Sequence, residues 1–282
     1  MMKRRHTNSH QGKGIDRQEH RPGPRRGAAW PASRVGLGIM LAGLAVLTVG
    51  HVHQHGWTWT GLIDDLYPNI GSELVGMAFV ILLIDRFAAR REDERRRHQL
   101  VRELASTDRG LTARAVIELD AHSWLYDDTL VGAQLSGANL AGARLERANL
   151  HTTILAGADL THANLSGARM TDANLADATL DRANLEMADL SGAILLQARL
   201  VRADAALATL TGANLEGANL QDADLTGADL QGADLRGADL TGCRLGRASL
   251  HGVRWNGATR WPAGFSPPPS RDDGGAVDHI GA

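Results

Sequence analysis

The sequence predicts a mainly β solenoid, preceded by a two-helix transmembrane hairpin and a charged linker helix. Three observations carry that expectation. A five-residue period runs without a slip over residues 130–255. Two apolar runs, 35–52 and 70–87, stand ahead of it. An arginine-rich stretch, "DRFAARREDERRRHQLVREL" over 85–104, joins the two parts.

Residues 1–34 are expected to form a disordered basic tail in the cytoplasm. Lys3, Arg4, Arg5, Lys13, Arg17, Arg21, Arg25 and Arg26 face only Asp16 and Glu19 there. The run "VGLGIMLAGLAVLTVGHV" over 35–52 carries no Asp, Glu, Lys or Arg. At about 1.5 Å per residue it reaches roughly 27 Å, close to the hydrocarbon thickness of a bilayer. A cleaved signal peptide is the rival reading. His51, His53 and His55 occupy the place of its cleavage site, so a retained anchor is expected.

The second run, "IGSELVGMAFVILLIDRF", is uniformly apolar between Leu74 and Ile84, with Glu73 and Asp85 near its ends. A buried soluble helix would look similar. Trp57, Trp59 and Tyr67 between the runs suit an interfacial belt instead, and Gly38 with Ala42 suits close helix packing. Residues 35–87 are thus expected to be a hairpin, with helices at about 35–52 and 70–87. The connecting stretch has Asp64 and Asp65 but no Lys or Arg, whereas both flanks are basic. The positive-inside rule puts both termini in the cytoplasm of a multi-pass membrane protein. Residues 88–129 follow as a charged linker helix and N-terminal cap. The linker breaks at Ser106-Thr107-Asp108, and a short helix spans 111–119. The linker arginines are expected to meet anionic lipid or bulk solvent.

The repeat fits neither standard period. On an α-helix, five residues advance the side chain by about 140° net, so the leucines would spiral and define no face. In one straight strand an odd period would alternate them between faces. Locally, Ala and Leu two apart share a side, Asn or Asp between them points away, and glycine often follows, as at Gly137, Gly157, Gly212 and Gly227. Each pentapeptide is therefore one short side plus a corner. Sides that all bury Ala and Leu close into a coil, and coils stack. Burying one Leu contributes about 1.5–3 kcal/mol, less than ordering five residues costs, so no repeat stands alone.

The unbroken register of "ANLxGADL" resembles the pentapeptide-repeat proteins. The resemblance covers residues 130–260 and implies a right-handed quadrilateral parallel β-helix with four pentapeptides per coil. The front segment is similar to a recurrent membrane-anchored arrangement of that family, on "IGSELVGMAFVILLIDRF", the Arg-rich helix and "RAVIEL…SWL". Leu140, Leu160, Leu185, Leu215, Leu230 and Leu240 are then inward. A four-sided coil stacks residues 20 apart, placing Arg169 on Asp189, Asp224 on Arg244 and Asp234 on Arg254. Asp204 on Asp224 is a like-charge exception.

Departures from the pattern mark places to inspect. Met170, Trp255 and Ala205 replace Leu; Ala205 is expected to leave a void or draw Leu207 inward. Thr153, Cys243 and Val253 replace the small Ala, so Cys243 is expected inward and inert. Ile154 and Ile194 fall on one face, and with Leu196 and Val201 they suggest an apolar strip for self-association. Trp255, Trp261 and Phe265 in 255–265 are expected to cover the last coil, with residues 261–282 forming the C-terminal cap and a disordered tail.

No catalytic or cofactor-binding residue is predicted. The repeat carboxylates recur by pattern and do not converge on a substrate. His51-x-His53-x-His55 has a metal-like spacing but stands at a membrane edge, and no metal site is predicted there. Only one cysteine is present, so no intrachain disulfide forms. The function expected is a membrane-anchored, non-catalytic scaffold or protein-interaction module. Its expected partners are membrane lipid, an unidentified cytoplasmic protein and a second copy of the chain; nucleic acid is not expected. The alternative is a DNA-mimic modulator of DNA gyrase or topoisomerase, as the family resemblance implies for some members. Asp224, Asp229, Asp234 and Asp239 would carry either task, while scattered arginines such as Arg144, Arg169, Arg199 and Arg244 interrupt an acidic stripe.

Overall fold

The structure, a computed structural model, describes Leu41 and residues 59–271, with side chains at Leu41 and from residue 77 onward. The basic tail, the rest of the first apolar run, the three-histidine set and residues 272–282 lie outside the described residues. The chain divides into two units, ending and beginning at Ala89 and Arg90.

Helix α1 runs unbroken over Trp59–Leu104. This corrects the expected loop up to residue 69 and the expected division between a second span and a linker helix. No glycine or proline lies between Phe87 and Leu104 to stop it, and Arg, Glu, Ala and Leu dominate that stretch. Pro68 lacks one amide donor but stands within the helix. Among the described residues no helix is long and apolar enough to cross a membrane. In the first unit Met77, Phe79, Leu82 and Ile84 are 58–62% exposed.

In the second unit the end of α1 buries Leu100 and Leu104. The chain then turns where Asp108 caps helix α2, Arg109–Ala121, by accepting from the amides of Gly110 (2.7 Å) and Leu111 (3.3 Å). The cap starts α2 two residues earlier than the apolar pattern suggested. Ala115, Val116 and Leu119 of α2, followed by Trp124 and Leu125, join the same core as the first coil. The Asn139 amide donates to Ser106 O and that of Asn149 to Leu125 O, so edge amides of the first coil are satisfied by the helical cap. Arg97 pairs with Asp127 at 3.1 Å and lies 4.8 Å from the Trp124 ring, pinning α1 to the cap.

From Gln134 onward the chain is a parallel β-helix. Single bridges join residues 20 apart, from Gln134↔Ile154 to Asp234↔Arg254. Four bridges occur per coil, so the coil has four sides. The first face carries Gln134, Ile154, Asn174, Ile194, Asn214, Asp234 and Arg254. The second carries Asn139, Asp159, Thr179, Arg199, Asn219, Asp239 and Arg260. The third carries Arg144, Asn164, Asn184, Asp204, Asp224 and Arg244, and the fourth Asn149, Arg169, Asp189, Thr209, Asp229 and Ser249.

One pentapeptide explains the whole pattern. The Asp159 amide donates to Ala138 O in the previous coil, and the Leu160 and His162 amides donate to Thr179 O and Asp181 O in the next. The Ala163 amide closes the corner on Leu160 O. The Thr161 amide, with no carbonyl in reach, donates to Asp159 Oδ1 at 2.9 Å. All five amides are satisfied. The last bond is an Asx turn, and it recurs at Asn164, Asn184, Asp204, Asn214, Asp224 and Asp239 among others. Asn and Asp share the acceptor Oδ1 that the corner needs, which is why either precedes Leu.

The residue two after Leu is left-handed throughout, whether Gly212 (φ 67°) or His162 (φ 59°). Inside, the inward alanines and leucines from residue 148 to 240 are at most 3% exposed, Leu160, Leu185, Leu215, Leu230 and Leu240 among them, and Leu140 is 1% exposed. Polar substitutes at the inward Ala position find a carbonyl: Thr153 Oγ1 donates to Leu130 O and Cys243 Sγ to Leu220 O.

The register slips once. Asp239 bridges to Arg260, 21 residues on, because "WNGATRW" holds one residue too many. Thr259 takes the inward place and donates to Leu235 O at 2.9 Å. Trp255 meets Trp261 edge-on at 6.0 Å, and Trp261 stacks on Phe265 at 5.4 Å, closing the last coil. The Trp255 indole donates to Pro268 O.

Candidate functional site

The sequence-adjacent acids Asp224, Asp229, Asp234 and Asp239 do not form a stripe. The four-sided coil puts one on each face, so they make a ring around a single coil. Each holds its own corner: Asp224 accepts from the Thr226 amide, Asp229 from Gln231, Asp234 from Arg236 and Asp239 from Thr241. The next coil sets Arg244, Ser249, Arg254 and Arg260 on these positions in turn. Three ion pairs result, each at 3.5 Å: Arg244–Asp224, Arg254–Asp234 and Arg260–Asp239. A ring of acids is thus largely covered by a ring of bases.

Hydrogen bonding sets the titration of Asp224, Asp234 and Asp239. The Thr226 side chain, then its amide and Arg244, hold the Asp224 carboxyl below the usual range, against partial burial. At Asp234 and Asp239 burial pushes the carboxyl up, but hydrogen bonds from Arg236, and from Thr241 and Gln221, outweigh it and the net direction is down. Asp189 follows the same pattern, with Ser191 as its main donor. A depressed folded value stabilises the fold above the unfolded value near 4 and loses that contribution as pH falls through the folded value. The thermal midpoint is therefore expected to drop below about pH 4. Replacing Asp224, Asp234 and Asp239 together by Asn keeps the corner acceptors and is expected to flatten that drop, read by calorimetry between pH 3 and 7.

The stacking pairs expected from a 20-residue coil are present as bridges at Arg169↔Asp189, Asp224↔Arg244 and Asp234↔Arg254, and so is the like-charge neighbour Asp204↔Asp224. A shallow groove of about 370 Å³ runs past Arg202, Asp204, Asp222, Asp224 and Arg244. Its charges are mixed and open to solvent, with Arg202 3.4 Å from Asp222. Among the described residues no group of His, Cys, Asp and Glu is placed to hold a metal ion. Cys243 is buried, and burial pushes its thiol up to about 12, which leaves it unreactive near neutrality.

Ile154 and Ile194 share the first face, with Asn174 between them. Leu196 stands in the adjoining corner, but Val201 belongs to the corner beyond the second face and is not part of the strip. Leu207 does not turn inward beneath Ala205: its φ is 59°, its side chain is 54% exposed, and it lies over Gly227. What sequence reasoning missed is the structural task of the Asn/Asp position. The signal was there in the free exchange of Asn and Asp, two residues alike in little but Oδ1.

A family model described as pentapeptide repeats matches the chain in eight copies, over residues 130–172, 168–204 and 206–242. Solved structures align with part of its length. The pentapeptide repeat protein Rfr23 from the cyanobacterium Cyanothece 51142 is 30% identical, over 45% of this chain and 90% of its own, with a TM-score of 0.23. HetL, a pentapeptide repeat protein involved in heterocyst differentiation regulation from Nostoc sp. strain PCC 7120, is 28% identical over 45% and 85%, TM-score 0.20. QnrB1, a plasmid-mediated fluoroquinolone resistance protein, is 20% identical over 45% and 79%, TM-score 0.31. No curated protein matches the chain.

Proposed function

The chain belongs to the pentapeptide-repeat family, and from that premise we propose that it is a non-catalytic scaffold, anchored to a membrane by its front segment and presenting its β-helix to a protein partner in the cytoplasm. One observation carries the interaction reading. Inside each coil the polar groups are committed to one another, so the varied outward side chains are what the domain offers to a partner. The anchor rests on the apolar runs of the sequence and on the exposed Met77, Phe79, Val80, Leu82, Ile84 and Phe87. Exposed Arg86, Arg90 and Arg91 come next in the chain, suited to anionic headgroups. A DNA-mimic reading needs a continuous acidic surface, and the base ring over Asp224, Asp234 and Asp239 counts against it.

The test is topology. Cytoplasm-active and export-active reporters are fused separately to the C-terminus, and the cells are fractionated. A membrane-bound product active only with the cytoplasmic reporter is expected. An exported C-terminus, or a fusion wholly in the soluble fraction, overturns the anchored cytoplasmic reading.

A further inference from the structure

We propose that the first face of the β-helix is an antiparallel self-association surface, on which Ile154 of one copy meets Ile194 of the other. Over its first five coils this face reads Gln134, Ile154, Asn174, Ile194, Asn214. It carries no charge there, whereas each of the other three faces carries both an Arg and an Asp over the same coils. Ile194 is 40% exposed and Ile154 half-buried, and no ion pair crosses the strip among the described residues.

The order is palindromic about Asn174. Bridged residues stack about 4.8 Å apart, so Ile154 and Ile194 stand roughly 10 Å from one another. Take a two-fold axis lying in the face, at right angles to the coil axis, at Asn174. It sets each Ile154 on the other copy's Ile194, Asn174 on its own copy and amide-bearing Gln134 on Asn214. The same operation carries the adjoining corner onto itself. The large Leu196 then meets the small Ala156, and Ala176 meets its own copy. This is the self-complementarity that an isologous contact requires. A charged partner would find no counter-charge on the face from Gln134 to Asn214, which is why the occupant is a second copy. The strip is only about 19 Å tall, less than the ~800 Å² per partner of a stable interface needs, so the association is weak and concentration-dependent. Asp172 and Asp177, in the two corners flanking Asn174, are the charges nearest their own copies, so added salt tightens it.

The experiment uses the full chain in detergent micelles, in which the buried Cys243 does not react. With Asn174→Cys, a short thiol cross-linker is expected to trap dimers at least about tenfold faster than with Thr179→Cys on the second face, a difference of one order in effective contact. Ile154→Lys alone and Ile194→Asp alone are each expected to cut that trapping by about tenfold, and the double variant to restore it, because the new charges face each other across the axis. Both sites are outward, so circular dichroism should stay unchanged. Equal trapping at residues 174 and 179, or single charge variants without effect, overturns the proposal. Since the readout is taken in detergent, it is independent of which side of a membrane the domain occupies.

Discussion

Leu185→Ala is expected to cost about 4–5 kcal/mol, the upper end for such truncations. Leu185 is fully buried, and the coils on either side cannot close on the space it leaves. Their separation is held by backbone bonds, with the Leu185 amide on Asp204 O and the Asp204 amide on Ala183 O. The residue stacked next to it is already small: Ala205, in the column that otherwise holds Leu145, Leu165, Leu185, Leu225 and Leu245. The reverse change, Ala205→Leu, is expected to stabilise by about 1–2 kcal/mol and to raise the thermal midpoint by several degrees. The backbone at Ala205 makes the same bonds as its leucine counterparts, donating to Asp224 O at 2.8 Å and accepting from Ala208 at 3.2 Å. Leu207 points outward and does not supply the missing side chain. Chemical denaturation of the two single variants reads both signs. An Ala205→Leu chain less stable than the parent would mean that the neighbouring leucines have already closed in.

Leu104→Asp is expected to cost at least about 4 kcal/mol and to act first at one end. Leu104 has no exposed surface and sits where α1 and α2 cover the first coil. A carboxylate there would stand in an apolar core, and hydrating it means lifting the cap. The edge amides of Asn139 and Asn149 then lose Ser106 O and Leu125 O. Hydrogen exchange is expected to accelerate at these two amides before it does at Leu215 or Leu230 in later coils, as fraying in a linear array predicts. The uncovered edge also offers a template for end-to-end association. Uniform acceleration along the chain would mean that the cap and coils unfold as one unit, with no separate end.

The period of five was enough to derive a coil and its inward Ala and Leu, because burial repeats with the chain and needs no partner from afar. The inward fate of Thr153 and Cys243 followed from their place in the count. Helix α1 was less legible: a switch from apolar to charged composition after Phe87 reads as a boundary, but hydrogen bonding along a helix is indifferent to it. The one-residue slip before Trp261 was likewise hidden, since only the stacking of Arg260 on Asp239 reveals it.

By itself, then, the sequence determined the coil and its filling, both of which depend on neighbours five residues apart. Tertiary structure alone decided that Asp239 meets Arg260 across the slip and that the four acids are held by their own corners. A four-sided coil sends successive pentapeptides to different faces, so Asp224, Asp229, Asp234 and Asp239, neighbours in the chain, part company. Ile154 and Ile194, 40 residues apart, come onto one surface, as the stacking of residues 20 apart leads one to expect from the sequence. Stacking also gave the Asp ring its Arg partners and turned its carboxylates from a candidate binding stripe into supports for the corners.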